Sequence, residues 1–61
     1  MDNNTTKLII RGTVAEAGIE VQFDNQLAHL RQHYESLKPR GGEETAAFIL
    51  ALTYFGVEIS S

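Results

Sequence analysis

The chain has no cysteine, which excludes disulfides, cysteine-ligated zinc and thiol redox chemistry and makes an intracellular, cytoplasmic protein the expectation. Long apolar runs are missing too. The longest unbroken one, residues 46–52, has seven residues, well short of the roughly 20 that a membrane helix needs. The opening MDNNTT has neither the basic nor the apolar region of a secretory signal, which speaks against export by that route. Bases are outnumbered, five against eight acids, and the net charge of −3 argues against broad attraction to nucleic acid or anionic lipid. A protein partner is the easier expectation.

What is present is a 61-residue chain with 43% hydrophobic residues, close to the size where a lone core is marginal. Without disulfides, self-association is the usual remaining source of stability. Residues 1–6 show no periodicity and are expected to form a disordered arm, with residues 7–61 making one domain. In KLIIRGTV, Leu8, Ile10, Gly12 and Val14 alternate with the period of a strand, and Ile19, Val21 and Phe23 do so in GIEVQFD. With AEAG as a turn, the two segments pair as a β-hairpin in which Val14 faces Ile19 and Ile10 faces Phe23.

Asp24 or Asn25 then caps a helix in which Leu27, Leu30, Tyr34 and Leu37 form an apolar stripe, with Gln26, Arg31, Gln32 and Glu35 outside it. KPRGG separates this helix from a second one. Glu43 and Glu44 suit the positive end of that second helix, and Gly56 suits the left-handed position just past its end. Val57 and Ile59 leave room for a short C-terminal strand. The expected fold class is therefore α+β, a ββαα domain with two antiparallel helices.

The run ETAAFILALTYF is apolar nearly all round. Ala47, Leu50, Ala51 and Tyr54 lie along one side, while Phe48, Ile49, Leu52 and Phe55 fill much of the rest. A hairpin and one helix cover about one side of such a helix, so a homodimer is expected. Its interface is assigned to Ala47, Phe48, Leu50, Ala51, Tyr54 and Phe55, with the alanines permitting close approach.

Candidate chemistry is sparse. His29 and His33 share a helical face, but no third metal ligand accompanies them and the zinc-protease glutamate is missing. No serine occupies a nucleophile elbow, and PRGGEE lacks the lysine and hydroxyl of a phosphate loop. The expected protein is therefore non-catalytic, with no cofactor. It is a small protein-binding dimer, with Glu20, Gln22, Asp24, Arg31 and Glu35 as its partner-binding residues. An inhibitor or modulator of a larger host enzyme, of the phage or mobile-element type, fits its size and acidity. A ribbon-helix-helix DNA binder is the alternative, disfavoured because Glu20 and Asp24 would face phosphate. A structural self-assembly protein is a second alternative. The strand-strand-helix-helix order and the run LKPRGGEETAAFILALTYF resemble the N-terminal globular part of the ZapA cell-division proteins. That resemblance implies self-association through the alanine-rich helix.

Overall fold

Asp2 sets the start of the first helix. In the computed structural model, which describes residues 2–60, its carboxylate accepts from the backbone N–H of Thr5 at 2.7 Å, and its carbonyl accepts from Thr6 N at 3.1 Å. This is an N-cap that satisfies donors the first turn cannot satisfy itself. Helix α1 then runs Asn3–Ala17. The disordered arm expected over residues 1–6 is corrected accordingly: residues 3–6 are its first turn, and Met1 lies outside the described residues.

Gly18 ends α1 in the left-handed conformation, φ 69°, which costs glycine nothing. Its N–H donates to Ala15 O and that of Ile19 to Val14 O, both at 3.2 Å. These two bonds define a Schellman ending, and its usual apolar clasp is present because Val14 and Ile19 are both core residues. The sequence AEAG is thus a helix terminus and not a hairpin turn. Helix α2, Glu20–His33, begins one residue after Ile19, and α3 spans Gly42–Ile59.

The expected β-hairpin is therefore overturned. The described residues contain three helices and no strand, so the fold is all-α. The reason lies in which residues find partners. A two-stranded hairpin is marginal alone, whereas helix spacing gathers Ile10 and Val14 from α1 with Ile19, Phe23, Leu27 and Leu30 along α2. All of these are buried against Ala47, Ala51 and Tyr54 of α3. Leu8, which alternation placed with Ile10, points to water, as do Ile9 and Val21. The ββαα order behind the likeness to ZapA is absent as well.

Two further boundaries differ from expectation. Helix α2 closes at Tyr34, whose φ of 56° is left-handed and whose N–H donates to Leu30 O at 2.9 Å, so Tyr34 and Leu37 do not continue an apolar stripe. Gly56 is interior to α3, which continues to Ile59 in place of a glycine cap and a short strand. Gln26, expected on the outer side of its helix, is buried. Its amide donates to Leu37 O at 2.8 Å and accepts from Leu37 N at 2.9 Å, which pins the α2–α3 connection onto α2.

Helices α1 and α2 both pack on α3 and touch each other much less. Phe23 and Tyr54 meet edge to face, ring centres 5.6 Å apart, at the middle of the core. The molecule is flat, 32 × 27 × 13 Å, so one long side of α3 stays uncovered.

Candidate functional site

The uncovered side of α3 is the most unusual surface of the protein. Its inward side is fixed by Ala47, Ala51 and Tyr54, all buried, with the alanines letting α1 and α2 come close. Half a turn away stand Ile49, 55% exposed, Leu52, 46%, and Ile59, 66%. Their spacing of three and seven residues places them in one line along the helix. Phe48 and Phe55 are half-buried on one flank of that line.

No charged residue occurs between Glu44 and Glu58, so this face carries none over its working length. Thr45 and Thr53 are its main polar side chains, and each donates its hydroxyl to a carbonyl one turn back, Gly41 O at 2.8 Å and Ile49 O at 2.9 Å. Their hydrogen-bonding needs are largely met within the helix. That lowers the cost of covering them.

Tyr34 extends the band beyond α3. Its ring centre lies 6.1 Å from that of Phe55, and it is 78% exposed. A bulky residue in the left-handed region is uncommon and costs energy relative to glycine. Here that strained position holds an aromatic ring out beside the apolar band.

One turn beyond Tyr54, on the inward side of α3, Glu58 forms an ion pair. Arg31 Nε donates to Glu58 Oε2 at 3.0 Å, and Arg31 Nη2 pairs with Oε1, a two-point contact. The hydrogen bond from Arg31 is the main reason the Glu58 carboxyl sits below its ordinary range, and the same bond raises Arg31.

Of the residues assigned to a dimer interface from sequence, Ala47, Ala51 and Tyr54 face inward within the chain. Leu50 and Phe55 pack against the core while half-buried, and Phe48 is half-buried. The residues that sequence reasoning left out of that set are the ones most open to solvent, Ile49, Leu52 and Ile59, together with Tyr34. A helical wheel contains them, but it does not say which side α1 and α2 will take.

Among the residues assigned to partner binding, Glu20, Asp24 and Arg31 fall on one flank of α2 at four- and seven-residue spacing. Gln22 is on the other flank, donating to Glu43 at 3.3 Å, and Glu35 lies in the connection beyond α2. They do not form one cluster. The rings of His29 and His33 lie 4.7 Å apart, and no third ligand-type side chain joins them among the described residues. With no strand among those residues, the ribbon that would enter a DNA groove is not there. No helix among them is long and apolar enough to cross a membrane.

Residues 2–61 match the family of unknown function DUF8536, and the chain belongs to that family. No curated protein and no solved structure matches it.

Proposed function

We propose that this member of the family is a non-catalytic, intracellular protein-binding module that acts as a homodimer, with the copies meeting along the outward side of α3. One observation carries the reading. The line Ile49, Leu52 and Ile59, flanked by Phe48 and Phe55, is exposed, and no charged residue occurs in α3 between Glu44 and Glu58. Each of the three is already about a third to a half covered, so burying the rest would gain about half of the roughly 1.5–3 kcal/mol of full burial.

A second copy is the occupant that fits best. A twofold contact needs one self-complementary patch, and a straight apolar helix face is self-complementary when paired with itself. From Ile49 to Ile59 the apolar line runs about 15 Å along the helix. The strained placement of Tyr34 beside Phe55 supports the same reading, since monomer stability alone would favour glycine or asparagine at that position. The acidic flank of α2, with Glu20 and Asp24, then remains outside the contact for a further protein.

Light scattering across a concentration series tests the proposal. Mass rising toward twice the monomer in the micromolar range is expected, and Leu52→Asp should hold the chain at monomer mass with its helical circular dichroism intact. A wild-type monomer at every concentration sinks the reading.

A further inference from the structure

Lys7 and Arg11 lie one turn apart on α1 and share a face. That face meets Tyr54. Arg11 Nε donates to the Tyr54 hydroxyl at 3.1 Å, with its guanidinium carbon 4.9 Å from the ring centre, and the Lys7 ammonium lies 5.9 Å from the same ring. Asn4 and Leu8 complete the walls of a cleft of about 380 Å³.

Three properties distinguish this cleft from a patch of surface cations. Tyr54 is 6% exposed and wedged edge-on against Phe23, so its hydroxyl is a fixed point supplied by the core. That hydroxyl accepts from Arg11 and keeps its own proton to donate. Apart from the Arg11–Tyr54 bond, neither the Lys7 nor the Arg11 side chain has a hydrogen bond or a carboxylate within ion-pair distance among the described residues. Both cations act on Glu58 through space, while Arg31 bonds that carboxylate directly. The two positive charges of the cleft thus have no carboxylate in direct contact among the described residues.

We propose that this cleft binds a phosphate monoester carried on an apolar or aromatic body. Two positive charges match a phosphate dianion, whereas a carboxylate would leave one unanswered. The free Nη groups of Arg11 present a planar fork suited to two phosphate oxygens, and Lys7 adds a point charge. The Tyr54 hydroxyl and the Asn4 amide supply donors for the remaining oxygen, and exposed Leu8 offers a wall for the ester's apolar part. The volume lies within the range of about 300–1,000 Å³ typical of small-molecule sites. The site is built from α1 and the inward side of α3, so it stands whether or not the outward side pairs.

The test is a titration of the full chain with phenyl phosphate, followed by amide chemical shifts. Inorganic phosphate and phenylacetate serve as separate arms. Saturable shifts confined to residues 4–11 and the neighbourhood of Tyr54 are expected, with both other anions binding more weakly. Lys7→Met should weaken phenyl phosphate about tenfold, the change that a lost charge-assisted contact of about 1.4 kcal/mol produces. Tyr54→Phe, which keeps the core ring, should weaken it several-fold. No saturation by about 10 mM, a range where even affinities weaker than 4 kcal/mol would register, overturns the proposal. So does unchanged affinity in Lys7→Met, or phenylacetate binding as tightly as phenyl phosphate.

Discussion

Single side chains decide where the helices stop and how the connection between them is held. Gln26 makes a two-point contact with the backbone of Leu37, and among the described residues no other side chain bonds to that backbone. Gln26→Ala removes both bonds and leaves a part-buried carbonyl and N–H poorly served, a loss of about 1–3 kcal/mol. For a chain of this size each kcal/mol corresponds to about 4–8 °C in Tm, so thermal unfolding followed by circular dichroism should show a clear drop. Tyr34 makes the opposite prediction. Tyr34→Gly relieves a left-handed tyrosine at φ 56° and should leave the isolated chain as stable or up to about 1 kcal/mol more so. The same change deletes a ring from the apolar band and should weaken self-association, read as a higher dissociation constant. A stability gain with unaltered association would remove Tyr34 from the interface.

At the scale of elements, the sequence carries two periodicities over residues 7–23, and the wrong one looks cleaner. Leu8, Ile10, Gly12 and Val14 alternate, but a hairpin made from them would stand as two strands with little to pack on. The helical set, Ile10 and Val14 followed by Ile19, Phe23, Leu27 and Leu30, is interrupted at Gly18 and becomes visible only when that glycine is read as a helix stop. Asp2 as an N-cap and Gly18 as a left-handed terminus are both legible signals, and together they delimit α1. Helix α3 was legible in its apolar excess and in its acidic first turn, Glu43 and Glu44. Its facing was not, because that depends on where α1 and α2 dock. Gly18→Ala should cost about 1 kcal/mol, since alanine must take the left-handed conformation although nothing lies within 4 Å of its added carbon.

The ends of the elements also set the response to acid. Asp2 at the start of α1 has its carboxyl lowered chiefly by the Thr5 backbone N–H, and Glu58 near the end of α3 is lowered chiefly by Arg31. A carboxyl whose folded pKa lies below its unfolded one stabilises the fold above the unfolded value, and the benefit is lost as pH falls through the folded value. Stability should therefore be flat near neutrality and decline below about pH 4, the ordinary carboxylate range. Arg31→Met should reduce that decline by less than about 1 kcal/mol, because the Arg31 side chain is about half exposed and its charge is screened by solvent. Melting curves at a series of pH values check both statements, and a decline identical in Arg31→Met would show that the ion pair is energetically silent.

For the whole molecule, a 61-residue chain spread over 32 × 27 × 13 Å has too little interior to bury every large apolar side chain it carries. One side of α3 is used for the core. If the other side is used by a second copy, folding and association are linked, because a partner that binds only the folded chain stabilises it by mass action. The melting temperature should then climb with protein concentration, continuing upward while the concentration exceeds the dissociation constant. Leu52→Asp places a charge in the middle of the apolar line, where it must be buried unpaired for the copies to meet. In that variant the concentration dependence should disappear, while the melting temperature at the lowest concentrations stays near that of the wild type, since Leu52 lies outside the core. A wild-type melting temperature independent of concentration would mean that α3 keeps its outward side for something other than its own copy.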